Sequence, residues 1–281
     1  MDYYVVAGNP VEHSQSPFIH TEFARQTGQA MEYGRVLWPL GGFAESLRAL
    51  AASGAKGCNI TVPFKFDACR EGRRLTPRAA LAQAANVLRF DPEGSLADNT
   101  DGAGLVNDIE RNAGVALAGK RVLLIGAGGA AAGVLGPLLA AGPHQIVVAN
   151  RTAEKAQALV DRHLAVAGAC LLQARGLAEP GVAFDVVINA SASSLQGAVV
   201  PVPDSALAAG ALALDMMYGP AAQPFLDWAA SHGATGRDGL GMLVEQAAQA
   251  FELWRGVRPD TAPVLAALRR RMGLETDGGT R

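Results

Sequence analysis

Val122-Leu-Leu-Ile-Gly126-Ala-Gly128-Gly129-Ala-Ala-Ala-Gly133 is the stretch of this chain that decides its fold. Its first four residues are apolar, as in a short buried parallel strand, and a glycine cluster follows at once. Glycines permit a tight turn with positive φ and let a ligand approach the backbone closely. A helix that begins there directs free N–H groups and the positive end of its dipole towards an anion such as a pyrophosphate. The pattern Gly126-x-Gly128-x-x-Ala131 therefore predicts a dinucleotide-binding strand, turn and helix.

A second strand follows the glycine turn and completes the unit. The apolar run Gln145-Ile-Val-Val-Ala149 comes after a gap of helix length, and the two runs together predict a β–α–β unit. Arg151 stands at the end of this second strand, where enzymes that use NAD usually carry an acidic residue for the ribose hydroxyl. An arginine there, with Lys155 one helical turn on, favours NADP because a cation accommodates the 2′-phosphate. A glycine-rich structural turn followed by an ordinary solvated charge is the alternative.

Composition favours an enzyme-sized α/β protein and disfavours several other classes. With 281 residues, of which 49% are hydrophobic, the chain can bury the core of one large or two medium domains. A net charge of −2 without a long basic run gives no support for nucleic-acid binding. Cys58, Cys69 and Cys170 have no metal or redox spacing, so neither a zinc site nor a disulfide is expected. The N-terminus lacks a basic signal region, which favours a cytoplasmic protein.

One segment has the length and the lack of charge that are typical of a membrane-spanning helix. Residues 122–142 carry no charge and are long enough to cross a bilayer. Glycines and Pro137 interrupt the segment, and it divides naturally into a strand, a turn and a helix. We therefore expect it to lie inside a globular domain, and we expect no membrane association.

The first hundred residues alternate strand and helix patterns and predict a second, smaller α/β domain. Strands are expected at 3–8, 31–38 and 54–61, with a hairpin formed by 85–90 and 95–98. Ser16-Pro17 and Thr76-Pro77 each predict a helix start, because a capping hydroxyl is followed by a proline. A further helix is expected at roughly 103–113.

Polar side chains gather at the ends of the strands predicted in this first part. They are Ser14, Ser16, Asn59, Thr61, Lys65, Asn86 and Asp101. Ligands of open α/β sheets bind at the carboxyl ends of strands, and hydroxyls and amides there suit a polyhydroxylated substrate. The alternative is that the serines are turn and capping residues and that Thr61 only ends a strand.

Lys65 and Asp101 are the lysine and aspartate placed in this way. A carbonyl that is reduced by hydride develops negative charge on its oxygen and needs a proton donor. A lysine beside a carboxylate can be that acid, or the base of the reverse reaction. A surface lysine and a helix-capping aspartate are the alternative, and spacing alone does not decide between the two interpretations.

Motifs along nearly the whole chain resemble those of the shikimate dehydrogenase family. Gly8-x-Pro10-x-x-His13-Ser14-x-Ser16-Pro17-x-x-His20 resembles the N-terminal signature of that family. Asn59-x-Thr61-x-Pro63-x-Lys65 resembles the motif of its catalytic lysine, and Asn99-Thr100-Asp101-Gly102 that of its catalytic aspartate. The family order continues through the glycine turn, Asn150-Arg151-Thr152, Asp215-Met216-x-Tyr218 and Asp238-Gly239-x-Gly241-Met242-x-x-x-Gln246.

The resemblance implies a reversible reduction of 3-dehydroshikimate to shikimate by NADPH, with Lys65 and Asp101 as the catalytic pair. The substrate contacts that it implies are Ser14, Ser16, Thr61, Lys65, Asn86, Asp101, Tyr218 and Gln246. The cofactor contacts that it implies are Gly126, Ala127, Gly128, Gly129, Ala130, Asn150, Arg151, Thr152, Lys155, Met217, Gly239 and Met242. No metal site is expected.

The resemblance further implies a two-domain α/β fold. Residues 1–102 and 241–281 would form a substrate-binding and catalytic domain, and residues 103–240 an inserted Rossmann-type, doubly wound NADP-binding domain. The C-terminal helices would return to the first domain, and the cleft between the domains could close. The expected partners are small molecules, and the expected state is a monomer or a homodimer.

Two departures from the family pattern and two alternative functions stay open. Residues 189–194 lack the glycine of the family's Asn-Ala-Thr-Ser-x-Gly stretch, and Ala131-Ala132 replaces a common Ser-Arg pair. Adenosine-phosphate binding would then depend more on Arg151 and Lys155. The first alternative is a quinate/shikimate dehydrogenase, although both serines and the arginine are retained. The second is a non-catalytic NADP-binding sensor, which would have no need of a proton donor.

Overall fold

Two six-stranded sheets, one after the other along the chain, organise the molecule. The computed structural model describes residues 1–191 and 202–274. The first sheet contains β1 (Asp2–Gly8), β2 (Met31–Leu37), β3 (Gly57–Ile60), β4 (Arg74–Leu75), β5 (Val87–Asp91) and β6 (Gly94–Asp98). The second contains β7 (Arg121–Ile125), β8 (Gln145–Asn150), β9 (Leu171–Gly176), β10 (Phe184–Asn189), β11 (Leu207–Asp215) and β12 (Thr235–Arg237).

Helices connect and cover these strands. They are α1 (Ser16–Thr27), α2 (Phe43–Ala52), α3 (Lys65–Glu71), α4 (Pro77–Ala82), α5 (Asp101–Asn107), α6 (Gly129–Ala140), α7 (Ala153–His163), α8 (Gln223–Ser231), α9 (Leu240–Arg255) and α10 (Ala262–Arg271). The helix expected at 103–113 begins two residues earlier and continues after α5 as a π-helical turn, Asp108–Asn112.

Of the two predicted helix starts, one is confirmed and one is shifted. Thr76 caps α4, because its hydroxyl accepts a hydrogen bond from the Ala79 N–H at 3.3 Å. Ser16 is already the first residue of α1, and its own N–H donates to the Ser14 hydroxyl at 3.3 Å. The Ser14 hydroxyl therefore takes the role at this helix start that the pattern had assigned to Ser16.

The second sheet is parallel throughout, in the order β12-β11-β10-β7-β8-β9. Strand β7 lies at its centre, and its side chains alternate between two cores. Val122 and Leu124 pack with the α6 side, whereas Leu123 and Ile125 pack with Phe225 of α8. Burial on both faces explains why this strand is continuously apolar. The strand order reverses between β7 and β10, which makes a doubly wound sheet with a switch point at that place.

The first sheet is mixed, in the order β2-β1-β3-β5-β6-β4. Strand β5 runs antiparallel both to β3 and to β6. Two reversals restore the direction, so β3 and β6 end at the same edge of the sheet, and β5 begins there. That edge therefore collects the residues that follow β3, precede β5 and follow β6.

The C-terminal helices pack against the N-terminal part of the chain. Phe251 of α9 and Leu268 of α10 share a buried cluster with Ile19 and Phe23 of α1. Helix α9 also crosses α5 so closely that a Cβ at Gly104 would lie 2.6 Å from the Cβ of Gln246. The two-domain α/β fold class, with returning C-terminal helices, is confirmed.

The uncharged segment 122–142 divides as its sequence predicts. It forms β7, the glycine turn and α6, which contains Pro137. Among the residues that the structure describes, no helix combines the length and the hydropathy needed to cross a membrane.

Candidate active site

Lys65 and Asp101 meet at the common edge of the first sheet. Lys65 is the first residue of α3, which follows β3, and Asp101 is the first residue of α5, which follows β6. The Lys65 Nζ lies 2.5 Å from the Asp101 Oδ2, and the two side chains are 16% and 6% exposed. This geometry is a charge-assisted hydrogen bond that is largely shielded from solvent. It favours the functional interpretation of the pair over that of a surface lysine and an unrelated helix cap.

Asn86 joins this pair to the C-terminal helix α9. It immediately precedes β5, and its Nδ2 donates to the Asp101 Oδ1 at 2.8 Å and to the Gln246 Oε1 at 3.0 Å. The Thr100 N–H in turn donates to the Asn86 Oδ1 at 2.8 Å. Both carboxylate oxygens of Asp101 thus accept hydrogen bonds, the Oδ2 from Lys65 and the Oδ1 from Asn86.

Ser14 and Ser16 stand at the start of α1, with their hydroxyl oxygens 3.2 Å apart. Ser14 lies in the loop that follows β1, the neighbour of β3 in the sheet, and Ser16 is the first residue of α1. Tyr218, which follows β11 in the second sheet, is half-buried beside them, and burial raises the pKa of its phenol. Three hydroxyl donors therefore gather from two different sheets.

All of these groups line one cleft of about 460 Å³ between the two sheets. All the predicted substrate residues border it: Ser14, Ser16, Thr61, Lys65, Asn86, Asp101, Tyr218 and Gln246. Five predicted cofactor residues also border it: Gly129, Ala130, Met217, Gly239 and Met242. The others, Gly126, Ala127, Gly128, Asn150, Arg151, Thr152 and Lys155, lie outside its lining, in the turn after β7 and between the end of β8 and the first turn of α7.

The glycine turn leaves room for a ligand. Gly126 has a φ of +113°, and a Cβ there would lie 3.0 Å from the Ala190 carbonyl oxygen at the end of β10. Around Gly128, a Cβ would meet no atom within 4 Å, and at Gly129 it would lie 3.4 Å from the Cβ of Lys65. The N-terminus of α6 is therefore open at the switch point and fits a pyrophosphate.

Two cationic side chains follow β8, at the same edge of the second sheet as the glycine turn after β7. Arg151 and Lys155 are both exposed, and neither forms an ion pair within residues 1–191 and 202–274. The Asn150 Nδ2 donates to the Thr152 carbonyl oxygen at 2.9 Å, which shapes the turn between them. Uncompensated positive charge at this position fits an additional phosphate on the adenosine ribose.

The cleft lining also contains residues that are not among the predicted substrate and cofactor contacts, and three of them are Asn59, Phe66 and Met216. Asn59 borders the cleft and accepts a 2.6 Å hydrogen bond from the Tyr33 hydroxyl, while its Nδ2 donates to the Asn86 carbonyl oxygen at 3.3 Å. Its position near the end of β3 is the signal that placed it among the polar strand-end residues, although the family motifs assign it no substrate contact. Phe66 and Met216 border the cleft as well, and apolar residues next to assigned ones carry no local pattern that distinguishes them.

The structure describes the first residues of the stretch 189–194, which departs from the family pattern. Asn189 ends β10, and its side chain accepts hydrogen bonds from both the N–H and the hydroxyl of Ser191, at 3.1 and 2.7 Å. Residues 192–194 lie outside the described residues. Within the described ranges, no cluster of three or more His, Cys, Asp or Glu side chains could hold a metal ion.

The motifs and the geometry agree with known families. A model of the shikimate dehydrogenase substrate-binding domain matches residues 6–88, and a shikimate/quinate 5-dehydrogenase model matches residues 108–199. A model of the shikimate 5′-dehydrogenase C-terminal domain matches residues 239–269. The shikimate dehydrogenase (NADP(+)) of Methylibium petroleiphilum is 62% identical over 276 residues, which cover 95% of this chain and 94% of that protein. The chain belongs to the shikimate dehydrogenase family.

Solved structures of related proteins superimpose on nearly the whole chain. An Ael1 enzyme from Pseudomonas putida is 44% identical with a TM-score of 0.87, and the match covers 95% of this chain and 98% of that one. A shikimate 5-dehydrogenase from Thermus thermophilus, solved with NADP(H) and shikimate, is 30% identical with a TM-score of 0.84. That match covers 96% of this chain and 99% of the other. The family resemblance of the motifs is thereby confirmed.

Proposed function

We propose that this chain catalyses the reversible, NADPH-dependent reduction of 3-dehydroshikimate to shikimate. The observation that carries the proposal is the shielded Lys65–Asp101 pair in a cleft whose walls also hold hydroxyl and amide groups. A pair of this kind serves proton transfer, and the surrounding donors suit a hydroxylated ring. Relatives with high identity carry the name shikimate dehydrogenase (NADP(+)), which supports the same reaction.

Lys65 and Asp101 transfer the proton of the reaction to and from the substrate oxygen. When bound, the reduced nicotinamide supplies the hydride that the carbonyl carbon accepts. As charge develops on the substrate oxygen, the Lys65–Asp101 pair delivers a proton to it, and in the oxidation direction the pair removes that proton. The 2.5 Å hydrogen bond between the Lys65 Nζ and the Asp101 Oδ2 holds the lysine side chain in place in the cleft.

The remaining cleft residues orient the substrate and the cofactor. Asn86, Gln246 and Thr61 are proposed to bind ring hydroxyls, and Ser14, Ser16 and Tyr218 the carboxylate end. The turn at 126–130 would receive the pyrophosphate, and residues 150–152 with Lys155 the adenosine phosphate. Met217, Gly239 and Met242 would lie on the nicotinamide side of the cleft.

The division of labour between the two parts of the chain belongs to the same proposal. Residues 1–102 with 241–281 are proposed to bind the substrate, and residues 103–240 the cofactor. We further propose that the protein works in the cytoplasm, as a monomer or a homodimer. Light scattering on the purified protein, with and without NADP, would measure the oligomeric state.

The test is a direct assay of the purified chain. With NADP and shikimate, absorbance at 340 nm should rise, and kcat/KM for quinate should be far lower than for shikimate. Lys65→Ala should lower kcat by about 10²–10⁴-fold and leave NADPH binding nearly unchanged. Lys56→Ala, the same substitution at an exposed lysine outside the cleft, is the control.

Three outcomes would count against the proposal. No oxidation of shikimate by the wild-type protein would leave the non-catalytic sensor as the better interpretation. Comparable kcat/KM values for quinate and shikimate would favour a quinate/shikimate dehydrogenase. A near-normal kcat of the Lys65→Ala variant would remove Lys65 from the proton path.

A further inference from the structure

Arg35 holds the loop that carries Ser14. It lies on the edge strand β2, and its Nε and Nη2 donate to the Ser14 carbonyl oxygen at 3.0 and 2.6 Å. In the parallel register of β1 and β2, Arg35 pairs with Val6, and Val6 borders the cleft. Paired residues of neighbouring strands face the same side of a sheet, so Arg35 stands at the rim of the substrate cleft.

The charge of Arg35 reaches the same end of the cleft as Tyr218. Burial raises the pKa of the Tyr218 phenol, while a hydrogen bond with the Gln15 backbone and the positive charge of Arg35 act in the opposite direction. Gln15 follows Ser14, and so the loop, the phenol and the guanidinium form one cluster. In the proposed function this cluster surrounds the substrate's carboxylate.

The hydroxyls at this end cannot by themselves select an anion. Ser14, Ser16 and Tyr218 are neutral donors, which can bond an ester or an amide as well as a carboxylate. Lys65 is already neutralised by Asp101. Arg35, by contrast, forms no ion pair within the described ranges, since both of its hydrogen bonds go to an uncharged carbonyl. Its full charge is available at the cleft rim.

We propose that Arg35 is the residue that makes this site specific for a ring that bears a carboxylate. It fixes the position of Ser14 through the backbone, and it supplies the positive potential that an anionic substrate meets at the serine and tyrosine end. The positive charge of the guanidinium acts on the substrate at a distance, and its hydrogen bonds act through the Ser14 backbone. Arg35 is therefore a positioning and specificity residue. This inference rests on the proposed function, because it assumes that the carboxylate binds at that end.

The test compares an acid with its neutral ester. Wild type, Arg35→Met and Arg35→Lys are assayed at saturating NADP with shikimate and with methyl shikimate, the ester both as a substrate and as a competitive inhibitor of shikimate oxidation. Arg35→Met should lower kcat/KM for shikimate about five- to tenfold, mainly through KM, and should change the values for the ester less than twofold. Arg35→Lys should recover part of the loss, because it keeps the charge and loses the paired hydrogen bonds.

A salt series and a control variant separate this role from a general charge effect. Added KCl should weaken shikimate binding to the wild type more than to Arg35→Met, since salt screens an exposed charge. Arg48→Met removes the same charge from an exposed position on α2, outside the cleft lining, and should behave as wild type.

Each outcome decides the inference. Equal losses for acid and ester would overturn it, because they would mean that Arg35 only shapes the loop. An unchanged kcat/KM for both substrates would overturn it as well, because Arg35 would then have no effect on substrate binding. Failure of the wild-type enzyme to oxidise shikimate would instead refute the proposed function, so the two failures are distinguishable.

Discussion

Replacing Asp108 by asparagine is expected to destabilise the fold by about 3 kcal/mol. Asp108 opens the π-helical turn after α5 and is fully buried. Its carboxylate accepts hydrogen bonds from the Nε and Nη2 of Arg237, at 2.8 and 2.5 Å, and from the Nδ2 of Asn112 at 2.9 Å. Gly241, near the start of α9, packs directly on the carboxylate, which leaves no room for a Cβ there.

The magnitude follows from the burial of the pair. Hydrogen bonding to Asp108 raises the pKa of Arg237, so the arginine stays charged whether or not its partner does. An asparagine would keep one acceptor, but its amide hydrogens would face a guanidinium N–H. Breaking a buried pair from one side costs about 3–5 kcal/mol. We expect the lower end of that range, because Arg237 is 18% exposed and solvent screens part of its charge.

Urea unfolding followed by circular dichroism measures the change, and the melting temperature should fall by roughly 6–12 °C. The control is Glu22→Gln, which breaks the exposed Arg25–Glu22 pair on α1 and should change the free energy of unfolding by less than about 0.5 kcal/mol. A loss below about 1 kcal/mol in Asp108→Asn would refute the reasoning. Replacing Asp108 and Arg237 together by apolar residues should recover most of the loss.

Three further predictions concern the cofactor, the helix crossing and pH. Arg151→Ala should cut the ratio of kcat/KM for NADP to that for NAD at least tenfold, about 1.4 kcal/mol, and should weaken binding of 2′,5′-ADP measured by calorimetry; an unchanged ratio would contradict the assigned role. Gly104→Ala should destabilise the fold by about 1–3 kcal/mol and raise KM, because its Cβ would meet Gln246 on α9; stability equal to that of wild type would show that α5 and α9 can separate. Burial lowers the pKa of His20 from 6.5 to about 3. Between these two pH values the unfolded state therefore binds a proton at His20 that the folded state does not bind. Stability should therefore fall by about 1.6 kcal/mol between pH 6.5 and 5, and His20→Phe, measured by urea unfolding at both values, should lose this pH dependence.

Two of these variants, Gly104→Ala and His20→Phe, have a matched comparison in the chain. Gly176→Ala introduces the same methyl group as Gly104→Ala, at a position where a Cβ meets no atom within 4 Å. His144→Phe is the comparison for His20→Phe, because His144 is exposed to solvent.

Local signals predicted the elements that carry the site, with small errors at their ends. The apolar run before the glycines predicted β7, and the hydroxyl before Pro77 predicted the start of α4. The same kind of signal misplaced Ser16, because the helix begins one residue earlier, with Gln15 at the capping position, and the Ser14 hydroxyl accepts the Ser16 N–H. A local pattern of a hydroxyl before a proline fixes a helix start only to within about one residue.

By itself the sequence determined the family, the two α/β units and the glycine turn after β7. These depend on residues close together in the chain, where side-chain periodicity and backbone freedom act directly. Only the tertiary structure decided that Lys65, Asn86 and Asp101 converge, because their meeting depends on the two strand reversals through β5. The same holds for Gln246, which α9 returns to this edge, and for Arg35, whose register with Val6 brings an otherwise ordinary surface charge to the rim of the cleft.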